Sequence, residues 1–190
     1  MPPLPARKLQ LVEAAIHEIG TSGSLNVTVG QIAKRAGVSA ALAFHYFGDK
    51  DHLFLAAMRY VLTIYGAEVR GALAGATSRR GRLEGVIRAS FSATNFRSEV
   101  IASWLNFYVM AQRSTEARRL LSIYHRRLKS NLAHDLRPLA GDHAPDIAER
   151  LGGLIDGIYL RFAVNPGDTT GEHAADHVLA ALDYELKALS

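Results

Sequence analysis

The chain has 190 residues, 48% of them hydrophobic, and a formal charge of +4 with a pI near 9.5. It has no cysteine, which excludes disulfides and thiolate metal sites. The opening MPPLPARKLQ is broken by prolines and charges and does not read as a signal peptide, and the most apolar later stretch, 151–164, is interrupted by Asp156 and Arg161 and too short to span a bilayer. A cytoplasmic protein with no membrane partner is therefore expected.

The charge is unevenly spread. Residues 1–137 hold 19 Lys and Arg against 9 Asp and Glu, whereas residues 138–190 hold 3 against 9. The first part suits a polyanion and the acidic end does not.

In chain order, the first expected helix covers about 7–19. Val12, Ala15, Ile16 and Ile19 recur at helical spacing, and Gly20 with the polar TSGS segment is expected to end it. Thr28 followed by Gln31 forms a capping-box pattern. Ile32, Ala33 and Ala36 then share a face, Gly37 suits a left-handed exit, and Ser39 can cap a second helix over 40–46. Leu42, Ala43 and Phe47 are expected to point inward. Helix, glycine turn, helix is the arrangement that inserts its second helix into a DNA major groove, though ordinary bundles contain such corners too.

A long helix is expected from Lys50 to about Leu73, with Leu53, Phe54, Ala57, Tyr60, Val61 and Ile64 as its buried stripe. At about 1.5 Å per residue it would reach roughly 35 Å. GATSRRG (75–81) reads as a loop. Helices over about 82–94, 98–113 and 115–137 follow, the last stopping before Pro138. PLAGDHAPD (138–146) reads as a loop, with Pro145 suited to a first helical turn. Two further helices, about 146–164 and 171–189, complete the chain. Leu151, Leu154, Ile155, Ile158 and Phe162 line the former, and Val178, Leu182, Leu186 and Leu189 the latter. NPGDTTG separates them, and Thr169 with Glu172 offers a second capping box. No strand alternation or internal repeat is present. The expected fold is all-α with roughly nine helices: a three-helix helix-turn-helix domain over 1–50, then a helical domain over 51–190.

The run from Thr28 to Lys50 resembles the DNA-binding signature of the TetR family of bacterial one-component repressors. Its elements stand here as Thr28, Ile32-Ala33, Ala36-Gly37-Val38-Ser39, His45-Tyr46-Phe47 and Lys50. The resemblance implies a repressor released from a palindromic double-stranded DNA operator by a small effector. It also implies a homodimer through the last two helices, where Gly152, Gly153 and Gly157 would permit close approach; burial within one chain is the alternative. Dimerisation would hold two recognition helices about 34–36 Å apart.

The expected DNA-binding residues are Thr28, Ser39, Ala40, Ala41, Leu42, Phe44, His45, Tyr46 and Lys50. Thr28, His45, Tyr46 and Lys50 would meet phosphate; Ala40, Ala41, Leu42 and Phe44 would face the bases. The latter make no bidentate hydrogen bonds, so readout would rest on thymine methyls, DNA shape and backbone contacts. Tyr46 and Phe47 also suit core packing.

WLNFY (104–108), HRRLKSNL (125–132) and LIDGIYLR (154–161) resemble, in order, segments of the choline-responsive subgroup of that family. Phe91, Trp104, Phe107, Tyr108, Asp156 and Tyr159 are the candidate effector residues. Aromatic faces attract a quaternary ammonium by about 0.5–2 kcal/mol per contact, and a carboxylate adds charge. An aromatic stripe at helical spacing equally describes a core, and Arg161 or an amide could partner Asp156 as well as a ligand could.

Enzyme readings find no support: there is no G-x-S-x-G, no Gly-rich phosphate loop and no Cys. His173 and His177, one turn apart beside Glu172 and Asp176, could bind a metal but more naturally form a solvated acidic face. Neither catalytic residues, a metal site nor a cofactor is expected.

Overall fold

The protein is described by a computed structural model covering residues 5–165, 167 and 169–189. Residues 1–4 of the opening segment and 166 and 168 of NPGDTTG lie outside it. The described residues are all-α: α1 (Ala6–Ser22), α2 (Val29–Arg35), α3 (Ala40–Phe47), α4 (Lys50–Gly75), α5 (Arg79–Ser90), α6 (Ser98–Arg113), α7 (Thr115–Ala140), a 3-10 turn (Gly141–His143), α8 (Ala144–Val164) and α9 (Gly171–Lys187). None of these helices is long and apolar enough to cross a membrane.

The chain divides into two compact units: residues 1–63 with 98–120, and residues 64–97 with 121–190. Helices α4 and α7 supply residues to both.

In the first unit, α1, α2 and α3 pack mutually, and α6 packs along α1. Leu11, Val12, Ala15, Ile16 and Ile19 of α1 are buried with Ile32 and Ala33 of α2 and Ala43 of α3. Burial of each large aliphatic side chain contributes about 1.5–3 kcal/mol. Gly20 does not end α1. The helix continues to Ser22 and closes on Gly23, whose φ of 62° is left-handed. Gly20 is instead a close-approach site: a Cβ there would lie under 3.0 Å from the Cα of Glu99 in α6. The same α1–α6 contact carries two hydrogen bonds, from Ser103 Oγ to the Ile16 carbonyl at 3.1 Å and from Asn106 Nδ2 to the Gly23 carbonyl at 3.2 Å.

In the second unit, Leu83, Val86 and Ile87 of α5 are buried, as are Leu132 and Leu136 of α7, Ile147, Leu151 and Ile155 of α8, and Val178 and Leu182 of α9. Asp135 of α7 is 1% exposed and is held by Arg79 Nη1 at 2.8 Å and Arg82 Nε at 3.0 Å, while Arg82 Nη1 also donates to the Leu73 carbonyl of α4 at 3.1 Å.

Several expected boundaries shift. The loop after α4 is short, because Ser78 caps α5 by accepting from Gly81 N, so Arg79, Arg80 and Gly81 are helical and α5 ends at Ser90 rather than near 94. Helix α7 runs through Pro138 to Ala140. A proline there removes only the hydrogen bond to the exposed His134 carbonyl, and buried Leu136 and Ala140 hold the last turn in place. The expected loop over 138–146 thus reduces to one 3-10 turn, with Gly141 at φ 54° and Pro145 in the first turn of α8. The cap of α9 is Thr170, which accepts from His173 N, and not Thr169. Leu154 is not on the buried face of α8 but exposed, as is Leu189 beyond α9.

Candidate DNA-reading face and effector site

The α2–α3 corner has the expected chemistry. Thr28 Oγ1 accepts from Gln31 N at 3.2 Å, and Gln31 Oε1 accepts from Thr28 N at 2.7 Å. Gly37, at φ 65°, leaves α2 through the left-handed region, where a Cβ would be strained. Ser39 Oγ then accepts from Leu42 N at 3.2 Å and starts α3.

On α3, Ala43 is buried, while Ala41, Phe44 and His45 are exposed on one face, as positions i, i+3 and i+4 must be. Ala40 and Leu42 flank that face and are half-buried. Phe44 stands 49% exposed, a large apolar ring with no role in its own core. Tyr46 and Phe47 are half-buried, and Lys8 Nζ lies 5.3 Å from the Phe47 ring centroid and 6.0 Å from that of Tyr46. Lys50 is turned inward: its Nζ donates to the Leu25 carbonyl at 3.1 Å and lies 5.7 Å from the Phe54 ring centroid. Asp49, which the sequence reading passed over, caps α4 by accepting from His52 N at 2.8 Å. That backbone hydrogen bond and the His52 side chain hold its carboxyl below the usual range. The D-x-x pattern before a helix was the available signal.

The six candidate effector residues divide between the units. Trp104 and Phe107 are buried in the first, with ring centroids 5.9 Å apart, and Tyr108 sits edge-on to Trp104 at 5.7 Å. Phe91, Asp156 and Tyr159 are in the second, within a larger aromatic and carboxylate cluster.

There Phe91, Phe96 and Tyr159 form a triangle with centroid separations of 5.4–5.7 Å, and Phe96 meets Phe162 in a tilted contact at 4.4 Å. Tyr65 of α4 meets Tyr124 of α7 edge-on at 5.7 Å and shares a hydrogen bond of 3.3 Å with Ser90 Oγ. The Tyr159 hydroxyl donates to the Ser90 carbonyl. Glu68 accepts from Ser92 Oγ at 2.7 Å and from buried Asn95 Nδ2 at 2.5 Å. Asp156 Oδ2 lies 3.4 Å from His125 Nε2.

Two carboxylates, Asp156 and Glu68, lie close enough to act on its buried phenols. Burial pushes the Tyr65 phenol up to about 12, with the Asp156 charge adding to it against the Ser90 hydrogen bond. Tyr159 is raised further, by burial first and then by Tyr65, Asp156 and Glu68. Rings and carboxylates together suit a cation and repel an anion.

Sequence reasoning missed Tyr65, Glu68, Asn95, Phe96 and Tyr124. Tyr65 continues the stripe Phe54, Met58, Val61, and Tyr124 continues Ala117, Leu121, so helical spacing could have found both. Asn95 and Phe96 occupy the irregular segment before α6, where no period exists.

Two cavities flank α8. One of about 250 Å³ lies against α7 and is lined by His125, Arg126, Lys129, Glu149, Gly152 and Asp156 among others. Another of about 670 Å³ lies against α9 and includes Gly153, Leu154, Gly157, Ile158, Arg161 and His177. His173 and His177 stack at 4.6 Å, but no group of three or more metal-ligating side chains occurs among the described residues.

Residues 11–57 match the family model of bacterial regulatory proteins of the tetR family, and residues 79–187 match that of the C-terminal part of BetI-type transcriptional repressors. The chain is 47% identical over 181 residues to the HTH-type transcriptional regulator BetI of Brucella anthropi, covering 95% of this chain and 92% of that one. It is 50% identical to the regulator of the same name from Brucella melitensis (95% and 90% covered) and 45% identical to that of Agrobacterium fabrum (97% and 90%). Among solved structures, a transcriptional regulator from Pseudomonas aeruginosa aligns with a TM-score of 0.79 at 25% identity, covering 96% of this chain and 93% of that chain. One from Saccharomonospora viridis, solved in complex with choline, aligns at 0.81 and 22% identity, covering 93% and 95%. With a capped helix-turn-helix at one end and a BetI-type match over most of the remainder, this chain belongs to the TetR family and is a DNA-binding transcriptional repressor of the BetI type.

Proposed function

We propose that the protein is a homodimeric, cytoplasmic repressor that leaves a palindromic operator when a small quaternary or otherwise cationic effector, choline foremost, occupies the second unit. The observation that carries the effector reading is the Phe91–Phe96–Tyr159 triangle beside Asp156 and Glu68, a set of rings and negative charge that suits an ammonium. The choline bound to the structural neighbour from Saccharomonospora viridis supports it.

On the DNA side, the domain over 1–50 presents Ala40, Ala41, Leu42 and Phe44 to the bases. Thr28, Ser39, His45, Tyr46 and Lys50 take the backbone, Lys50 after leaving the Leu25 carbonyl. With no bidentate donor on this face, discrimination comes from thymine methyls and groove shape, and from the spacing of two heads. The domain over 51–190 carries the effector and the dimer contacts. Exposed Leu154, Leu160, Val164 and Tyr184 on α8 and α9 give a second copy an apolar face to cover. Helices α4 and α7, which supply residues to both units, carry the effector signal to the head.

The test is a shift assay with the DNA upstream of the protein's own gene, with and without choline. Binding is expected to weaken steeply with salt and to be released by choline. Salt-insensitive binding, or none, would remove the DNA reading, and release by no cation would remove the effector reading.

A further inference from the structure

We infer that Glu68 of α4 is a positioning residue of the effector site: through Ser92 and Asn95 its carboxylate fixes the segment that carries the Phe91 and Phe96 rings, and it does so as a hydrogen-bond acceptor rather than as the counter-charge of an ammonium. This rests on the cationic-effector reading above and adds to it a residue and the way that residue acts.

Two of the three rings in the aromatic triangle stand outside any helix. Helix α5 ends at Ser90 and α6 begins at Ser98, so Phe91 and Phe96 belong to an irregular connection. Its own backbone supplies few bonds, among them Asn95 N to the Ser92 carbonyl at 3.0 Å and Phe96 N to the same carbonyl at 2.8 Å. Side chains from other elements must therefore hold it.

One end is held at Ser90 and Phe91. Tyr65 of α4 shares its 3.3 Å hydrogen bond with Ser90 Oγ, and the Tyr159 hydroxyl of α8 donates to the Ser90 carbonyl. Gly171, the first residue of α9, comes so near that an added Cβ would stand 2.2 Å from the Phe91 carbonyl oxygen. The other end is held by Glu68, one turn after Tyr65 on α4. Its Oε2 accepts from both Ser92 Oγ at 2.7 Å and Asn95 Nδ2 at 2.5 Å. Asn95 extends the tie, since its Nδ2 also donates to the Ala89 carbonyl of α5 at 3.0 Å and its N to Ser92 Oγ at 3.3 Å. Asn95 is 4% exposed, so no water readily replaces a lost acceptor. Ser92 adjoins Phe91 and Asn95 adjoins Phe96, so the two donors that Glu68 holds sit one residue from each ring.

Both bonds end on a single oxygen. A glutamine at this position can offer its carbonyl oxygen to the same two donors without the charge, whereas alanine offers neither. The two substitutions thus separate hydrogen bonding from charge.

Isothermal titration of the full chain with choline tests this, in wild type, Glu68→Ala, Glu68→Gln and Ser92→Ala, at a temperature where circular dichroism shows each variant folded. Affinity falls with the fraction of molecules that hold the rings in the binding arrangement, so Glu68→Ala should bind about tenfold or more weakly. Glu68→Gln should recover most of that loss. Ser92→Ala keeps the carboxylate and removes one donor; it should weaken binding too, and it is the variant to read if Glu68→Ala does not fold. Wild-type choline affinity in Glu68→Ala or in Ser92→Ala, even with a lowered Tm, makes the node structural only and overturns the inference. Binding by Glu68→Gln as weak as by Glu68→Ala assigns the effect to charge, which overturns the positioning role and leaves the effector reading intact. Absence of any saturable choline binding by wild type removes the effector reading and this assignment together.

Discussion

Replacing Gly20 by alanine tests how the first unit is held together. Ile16 and Gly20 of α1, with its C-cap Gly23, face residues 99, 103 and 106 of α6, each set spaced i, i+4, i+7, and at Gly20 the two backbones approach closely. An added Cβ would fall under 3.0 Å from Glu99 Cα and Cβ and 2.9 Å from its carbonyl oxygen. Two of these are backbone atoms, so no side-chain rotation relieves the contact and α6 must move. Overpacking of this kind costs about 1–3 kcal/mol. Alanine returns about 1 kcal/mol of helix propensity, so a net loss of up to about 2 kcal/mol is expected. For a chain of this length that lowers Tm by up to about 8 °C. The displacement should also weaken the Ser103–Ile16 and Asn106–Gly23 hydrogen bonds, so amide exchange should quicken in α1 and α6 ahead of the rest. Gly71→Ala is the control: it lies in α4 with nothing within 4 Å of its added Cβ and should raise Tm instead. If Gly20→Ala raised Tm as Gly71→Ala does, with α1 and α6 exchange unchanged, the close-approach reasoning would be refuted.

Other outcomes are expected elsewhere. Asp135→Asn leaves Arg79 and Arg82 facing a neutral amide inside the second unit, and breaking a buried pair costs about 3–5 kcal/mol; a urea midpoint by circular dichroism close to wild type would contradict this. Tyr65 is protonated in the fold up to about pH 12, against about 10 when unfolded, so the stability it contributes is complete below pH 10 and is lost as pH rises through about 12. Phenolate absorbance should therefore show late-ionising groups among the seven tyrosines, one of which disappears in Tyr65→Phe. Phe44→Ala should leave stability within about 0.5 kcal/mol, because the ring is exposed, yet reduce operator discrimination. An unchanged preference across operator variants, or the same insensitivity in Ala40→Gly and Ala41→Gly, would exclude contact through these small and apolar groups.

The sequence by itself determined the helices and the DNA-reading corner, because both are coded by local chemistry. The Thr28–Gln31 box, the left-handed Gly37 and the Ser39 cap each act within four residues, and the buried faces of α1 and α2 follow from a 3.6-residue period. Boundaries failed where a distant contact outweighed a local signal. Gly20 reads as a helix end but is a crossing point, since what demands glycine there is the Glu99 backbone 79 positions away. Pro138 reads as a stop, yet buried Leu136 and Ala140 carry α7 past it. The candidate effector site was half legible for the same reason. Asp156, Phe91 and Tyr159 stood out as residue types, but only the packing of α4, α7 and α8 brought Tyr65, Tyr124 and His125 to them. No spacing rule joins side chains from helices some thirty to ninety residues apart. Which aromatic residue shares its surroundings with a carboxylate, and which belongs to the core of a separate unit as Trp104 does, is a property of long-range packing, and the tertiary structure alone decided it.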